Sequence, residues 1–411
     1  MNVIYLSSSC SDEKFESLRK SGITKKLPQA QKYHRLMMEG IEKNIDGNIT
    51  AISVFPVNRS WSKQNVFQRE EEIVHGIRYI YSKFVNIPIL KQISVVSNAK
   101  REIRKITSEN IGKTVLICDI LNQSLAKAAR EMGKKLGIPT LGIVTDVPGH
   151  TSGARRKTAS YVTRKIKEYA EKNCERNMVK YDSYLFLTAA MNDVVNLKNK
   201  PYIVIEGQSD IKMQETHNTL SDKASPKVIM YAGGIHREFG IAALVEAFAE
   251  GEYEGWELHI YGDGNYQNDL KKIAEINDSI KYYGTQSNKL IVDSQLKATL
   301  LVNPRLTDAE YVKYSFPSKT LECMVSGTPL LTTHLPGMPK EYNEYVYLFD
   351  EENKQGFKRV LDNVLATSEE KLHSYGMRAK EFAIVEKNNV RQAKKLLRFA
   401  EGLFVYAEPK G

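Results

Sequence analysis

The sequence predicts an α/β protein made of two Rossmann-like domains, each on a parallel sheet. Short apolar runs of strand character alternate with segments of helical period along most of the chain, as expected of strand–helix–strand units whose sheets are covered on both faces. The alternation lapses in a polar stretch without apolar period, 209–226, and resumes at Val228. A chain of 411 residues also exceeds what one ordinary core organises. The expected division is 1–208, a linker over 209–226, a second domain over 227–385, and a terminal helix over 386–411.

Composition narrows the class. With 42% hydrophobic and 26% charged residues the chain can fill two cores, and large disordered tracts are excluded. Cys10, Cys118, Cys174 and Cys323 are scattered without a C-x-x-C pair, which argues against a zinc site or a disulfide frame and for a reducing compartment. The chain starts directly in the strand-like Val3-Ile4-Tyr5-Leu6, and no apolar run approaches the roughly 18 residues of a bilayer span. A cytoplasmic location is expected. A formal charge of +10 and a pI near 9.1 favour an anionic partner: nucleic acid, anionic lipid or a phosphorylated small molecule. Nucleic acid is disfavoured among these, since no aromatic platform or known binding module accompanies the charge.

In the first half, strands are expected at Val3–Leu6, Ile49–Phe55, Ile93–Val96, Thr114–Cys118, Thr140–Val144, Ser183–Thr188 and Tyr202–Ile205, with helices between them. One such helix, from Asn122 to Leu136, is closed by Gly137-Ile138-Pro139. The first strand opens into Ser7-Ser8-Ser9-Cys10-Ser11-Asp12 and not into a G-x-G-x-x-G turn, so dinucleotide binding is not expected there. Asp119 and Asp146 end strands at the carboxyl edge, where open α/β sheets place ligands; Asp146 and His150 share a Pro/Gly loop that continues neither strand nor helix. Most such aspartates bond their own backbone. From Arg155 to Lys180 runs a basic segment with an apolar stripe, either a solvated amphipathic helix or one that lies on anionic lipid.

The second half begins with the strand Val228–Ala232 and the turn Gly233-Gly234-Ile235-His236-Arg237, where glycine lets backbone approach a ligand and Arg237 offers a fork of donors suited to phosphate. A helix over Ile241–Phe248 follows. Further strands are expected at Glu257–Tyr261, Ile280–Tyr283 before Gly284, Thr299–Val302 before Asn303-Pro304-Arg305, Leu330–Thr333 and Val346–Leu348. Two terminal helices, Glu369–Ala383 and Glu386–Phe404, end the pattern.

The stretch around which the second half is organised is Tyr314-Ser315-Phe316-Pro317-Ser318-Lys319-Thr320-Leu321-Glu322, ending in Gly327-Thr328-Pro329. Pro317 and Ser318 read as a helix start with Ser318 as N-cap, and Gly327 and Pro329 as its stop, about two turns later. Leu321, Met324 and Val325 fall at core spacing, and Glu322 lies off that face. Free amides, the positive end of the helix dipole and Lys319 make an anion site, for which phosphate is the usual occupant. The carboxylate of Glu322, one turn on, suits a ribose diol, so the expected ligand is a nucleoside diphosphate.

This stretch resembles the donor-binding motif of retaining glycosyltransferases of the GT-B fold, the large family-4 group, in its Phe-Pro-Ser-Lys variant. Two glutamates bracket the motif in that group; the second matches Glu322 and holds the ribose hydroxyls, whereas the first, which touches the donor hexose, falls at Tyr314 here. The family's glycine turn matches Gly233-Gly234, but Phe239 stands where the family has a lysine, leaving Arg237 and Lys319 to neutralise the diphosphate. The resemblance implies a cleft between the domains and a last helix crossing back to the first. It also implies that Gly233, Gly234, Gly284, Ser318, Lys319 and Glu322 hold the donor nucleotide, while Tyr314, Ser315, Phe316 and Pro317 border the donor sugar. Ser9, Asp119 and His150 would then face the acceptor, with Arg237, Lys319 and Asp146 as catalytic candidates.

The implied reaction is transfer of a hexose from a UDP- or GDP-sugar, with retention, to a lipid-linked or surface-glycan acceptor in polysaccharide biosynthesis, at the inner face of the membrane. No cofactor or metal is expected, since no D-x-D stands where a divalent ion would be held. A sugar-nucleotide epimerase of the same fold and a non-catalytic sugar-nucleotide-binding subunit are the competing readings, the latter because the family's first glutamate and lysine are missing.

Overall fold

A computed structural model describes residues 1–25, 29–148 and 161–406. The chain forms two compact units: Met1–Gln208 together with Asn389–Gly411, and Ser209–Asn388.

The first unit runs β1 (Asn2–Ser7), α1 (Asp12–Lys20), α2 (Gln29–Glu42), β2 (Ile49–Ser53), β3 (Val66–Phe67), β4 (Glu70–Val74), β5 (Ile77–Tyr81), β6 (Phe84–Val85), α3 (Leu90–Glu109), β7 (Thr114–Asp119), α4 (Gln123–Leu136), β8 (Thr140–Val144), α5 (Tyr161–Met178), β9 (Ser183–Phe186), α6 (Ala190–Val195) and β10 (Tyr202–Val204). Its eight-stranded sheet has the order β10-β9-β8-β7-β1-β2-β5-β4. Every pairing is parallel except the β4–β5 hairpin at one edge. β1 and β7 are buried along their whole length, as strands covered on both faces must be. The chain leaves β1 toward β2 and later returns to β1's other side with β7, so the strand order reverses between β1 and β7.

Two features depart from the sequence reading. Ile93–Val96, expected as a strand, lies inside α3, whose buried positions Val95, Ala99, Ile103 and Ile106 follow a helical period that the short β-branched run conceals. The β4–β5 hairpin went unread. Its turn is His75-Gly76, both at positive φ, a two-residue hairpin signal carried here by histidine instead of asparagine.

The second unit contains β11 (Lys227–Ala232), α7 (Ile241–Ala249), β12 (Trp256–Tyr261), α8 (Gln267–Ile276), β13 (Ile280–Tyr282), α9 (Asn288–Lys297), β14 (Leu300–Asn303), α10 (Ser318–Ser326), β15 (Leu330–Thr332), β16 (Tyr347–Leu348), α11 (Lys354–Leu365) and α12 (Glu369–Glu386). All six strands are parallel in the order β13-β12-β11-β14-β15-β16, and the order reverses between β11 and β14. Ile229, Leu258, Ile260, Leu300 and Phe357 lie at the centre of its core.

The polar stretch 209–226 is part of this unit. It makes 3-10 turns at Ile211–Glu215 and Leu220–Asp222 and is fastened by side chains to backbone carbonyls. Asn218 Nδ2 donates to Ser326 O at 2.7 Å, and Lys223 Nζ to Leu296 O and Ala298 O at 2.8 and 2.9 Å. The final helix, α13 (Asn389–Tyr406), belongs to the first unit and packs on α2. There Asn389 Nδ2 donates to Leu36 O at 3.1 Å, and Ala393, Leu396 and Ala400 are fully buried. Among the described residues no helix is long and apolar enough to cross a membrane.

Candidate functional site

In the second unit the reversal of strand order brings the ends of β11 and β14 side by side, and α10 begins at the same edge. α10 buries Leu321, Met324 and Val325 and leaves Glu322 half-exposed on another face. It ends at Gly327, in the left-handed conformation at φ 77°, whose amide donates to Met324 O. The helix start differs from the expectation. Pro317 occupies the N-cap and Ser318 is the first helical residue, with no side-chain cap. The Ser318 and Thr320 amides are taken by Phe316 O and Pro317 O at 3.0 and 2.8 Å, because proline at the cap draws the entry into tight turns.

Lys319 stands exposed at this first turn and reaches across the switch point. Its Nζ donates to Ala232 O, the last residue of β11, at 2.6 Å, and lies 6.0 Å from the Tyr231 ring centre. A Cβ on Gly233 would fall 2.6 Å from that Nζ, so the glycine makes room for the ammonium. Crowding by protein atoms withdraws water from the ammonium and lowers its pKa; Cys323 and Glu322 oppose the shift, and Arg305 adds to it. The Gly233 amide, expected as an anion donor, is committed to Tyr261 O at 3.0 Å. Gly234 O accepts from the Tyr231 hydroxyl at 2.8 Å. Gly284, at φ 64°, has open space where a side chain would stand.

Arg305 is the residue that the sequence reading noted but did not assign. It follows β14, directly across the switch point from Gly233, and its guanidinium lies 5.4 Å from the Tyr311 ring centre. Its Nε is buried without a hydrogen-bond partner. Burial raises the pKa of the Tyr231 hydroxyl and the Arg305 charge works against that rise, so the guanidinium acts on both Tyr231 and Lys319. The available signal was a basic residue just past a strand's carboxyl end; strand order was needed to rank it.

Arg237 is directed elsewhere. Its Nη2 pairs with Asp269 Oδ2 at 2.6 Å, its guanidinium lies 4.7 Å from the Tyr266 ring centre, and both charged side chains are about half exposed. Tyr314 is buried, with the Lys313 ammonium 4.9 Å from its ring centre. Phe316 is buried against Tyr342, Pro317 is buried too, and Ser315 is half-exposed.

In the first unit, Ser9, Asp119 and Asp146 each bond to other groups of the protein. Ser9 is buried, its hydroxyl donating to Gln31 O at 3.3 Å and its carbonyl accepting from Ser53 Oγ at 2.6 Å. Asp119 accepts from the Leu121 amide at 2.9 Å and faces His34 Nε2 at 3.6 Å, with His34 Nδ1 bonded to the Tyr5 hydroxyl at 2.8 Å. That buried Tyr5–His34–Asp119 chain went unread because its members are far apart in sequence. Asp146 stands exposed at the end of β8 and accepts from its neighbour's amide, Val147 N, at 2.9 Å, the local bond typical of turn aspartates. The surrounding protein desolvates its carboxyl and raises its pKa, against the Val147 amide, which lowers it. His150 and residues 155–160 of the basic segment lie outside the described residues.

Residues 212–382 match the family Glycosyl transferases group 1. No curated protein matches the chain. Among solved structures, sucrose-phosphate synthase from Thermosynechococcus elongatus is similar with a TM-score of 0.66 at 13% identity, over 99% of this chain and 100% of that one. Anabaena HepE in complex with UDP has a TM-score of 0.60 at 12% identity, over 98% and 100% of the two chains. The apo lipopolysaccharide outer core galactosyltransferase WaaB has 0.56 at 15% identity, over 98% and 99%. These likenesses establish the fold, which is GT-B.

Proposed function

We propose, taking as premise a GT-B glycosyltransferase whose residues 212–382 form its group 1 domain, that this protein transfers a hexose from a UDP- or GDP-sugar to a glycan or lipid-linked glycan acceptor with retention. The observation that carries the reading is a pair of cations at one switch point. Lys319 reaches a glycine turn at the end of β11 and feels the charge of Arg305, which follows β14, with Glu322 one helical turn from Lys319. Burial disfavours the charged form of Lys319 and the Arg305 charge adds to that, while Arg305 keeps a buried Nε without a partner, so an anion at this point would favour both. A diphosphate would relieve both, by a point contact from the lysine and a fork from the arginine. Glu322 then accepts hydrogen bonds from the ribose hydroxyls.

In the reaction, the bond from the anomeric carbon to the phosphate oxygen breaks, and negative charge grows on the leaving diphosphate while the sugar becomes oxocarbenium-like. Preorganised donors are worth most against that growing charge. The acceptor hydroxyl attacks the anomeric carbon from the departing side and gives its proton to the leaving phosphate oxygen, which conserves the configuration. Because two fixed cations meet the charge, the reading includes no metal.

The test is a panel of nucleotide sugars assayed with EDTA present. Release of free UDP or GDP only when acceptor is added, with weakened nucleotide binding and intact fold in Glu322→Ala, is the expected result. Interconversion of sugar nucleotides without an acceptor would establish the epimerase instead, and nucleotide binding without turnover across all donors would establish a binding subunit.

A further inference from the structure

The sheet of the second unit presents two faces. Ile229, Tyr231, Leu258, Ile260 and Ile280 turn into the core, so the residues that alternate with them stand on the opposite face. Register sets three of these in one row at the carboxyl ends of the strands. Ala232 of β11 pairs with Tyr261 of β12, and one residue past the Ile260–Tyr282 pair Tyr261 adjoins Tyr283, just beyond β13. The Tyr283 amide donates to Ile260 O at 3.0 Å and so carries the ladder on to that point.

The row starts where Lys319 Nζ meets Ala232 O and ends in an aromatic shelf. The rings of Tyr261 and Tyr283 lie flat on each other, centres 4.8 Å apart and planes 14° from parallel, and the His259 ring stands at 63° to Tyr283 with centres 5.1 Å apart. Tyr261 is 6% exposed and Tyr283 42%, so one face of the Tyr283 ring is braced and the other is open. A ring already held in place loses little freedom when a partner arrives. Two strand spacings put Tyr283 roughly 10 Å from the Ala232 end of the row, the reach of a nucleotide from its diphosphate to its base. Beside the shelf the backbone acceptors are engaged: Gly284 O accepts from the Gly262 amide at 2.8 Å, and Tyr283 O from Gln286 Nε2 at 2.7 Å. Gly284 has no atom within 4 Å of where a side chain would stand, so the space next to the ring is free.

We propose that the donor's nucleobase stacks on the open face of Tyr283, and that this shelf selects a purine, hence a GDP-sugar over a UDP-sugar. The inference rests on the nucleotide-sugar reading and deepens it. Stacking strengthens with overlapped area, which a bicyclic base supplies and a pyrimidine does not. Uracil would depend instead on its N3–H finding an acceptor, where both neighbouring carbonyls already hold a donor.

Calorimetric titration of the full chain with GDP, UDP and inorganic pyrophosphate tests it. GDP is expected to bind about fivefold or more tightly than UDP. Tyr283→Ala should weaken GDP by about fivefold or more and bring the two nucleotides within about twofold of each other, while pyrophosphate, which has no base, binds as before. Tyr283→Phe should keep the preference. Tyr202→Ala removes a tyrosine of similar exposure, 43%, from the first unit and should change nothing. Thermal melting without nucleotide checks each fold, and Tyr283→Leu, which keeps bulk but has no π face, replaces the alanine variant if that does not fold. Three results would each overturn the proposal and leave the nucleotide-sugar reading standing: UDP binding as tightly as GDP, equal losses of GDP and pyrophosphate in Tyr283→Ala, or undiminished GDP binding in that variant. Failure of the wild type to bind either nucleotide would overturn the nucleotide-sugar reading, and this proposal with it.

Discussion

At the scale of single residues, Lys319 and Arg305 carry the account. Loss of water lowers the Lys319 pKa in the free protein, and only the protonated form can meet a leaving diphosphate. The alkaline limb of kcat/KM, which reports the free enzyme, is therefore expected below the ordinary lysine value of about 10.4, and Lys319→Arg should move it upward. Lys319→Ala should lower kcat by about 10²–10³ with a smaller change in donor binding; an unchanged rate would remove the lysine from the mechanism. Arg305→Ala should weaken nucleotide binding by about tenfold or more, the worth of a charge-assisted fork. Arg237→Ala should change it by less than about threefold, because that guanidinium is already paired on an exposed surface. Calorimetric titration with UDP or GDP separates the two arginines, and a larger loss for Arg237→Ala would reverse the assignment.

At the scale of elements, the site depends on how loops are stitched behind it. Gly240 caps α7 at φ 78°, and a Cβ there would fall 1.9 Å from Pro304 O, in the loop that carries Arg305. Gly240→Ala is expected to cost about 2–3 kcal/mol, since it combines a strained φ with a backbone clash. Nucleotide affinity should fall with it because the clash is relieved by moving Pro304 and Arg305. A thermal melt with and without nucleotide measures both effects, and unchanged affinity would mean that the loop yields elsewhere. The spacing of Leu321, Met324 and Val325 made α10 legible in advance. Its entry was not: proline at the N-cap diverts the Ser318 and Thr320 amides into local turns, a competition between hydrogen bonds that residue types alone do not resolve.

At the scale of the whole molecule, the last helix closes the unit in which the chain began. α13 covers α2 so closely that a Cβ on Gly40 would fall 2.1 Å from Asn389 O, and Asn44 Nδ2 reaches Val390 O at 2.8 Å. Truncation after Asn388 should therefore lower the melting temperature of the first unit by uncovering Leu36, Met37 and Ile41, while nucleotide still stabilises the second. Loss of nucleotide stabilisation in the truncated chain would show that the second unit does not fold by itself.

The sequence by itself determined the α/β class, the restart of the pattern near Val228, and the helix with Lys319 and Glu322 one turn apart, because these follow from local period and short spacing. Which cation stands beside the glycine turn was decided only by tertiary structure. Strand order, not chain order, sets β14 against β11 and so brings Arg305 to the switch point where its charge acts on Lys319, while Arg237, close to Gly233 in sequence, turns to Asp269 on α8. Local preferences act over a few residues, whereas the reversal of a sheet at its switch point joins segments about seventy residues apart through hydrogen bonds that no local pattern records.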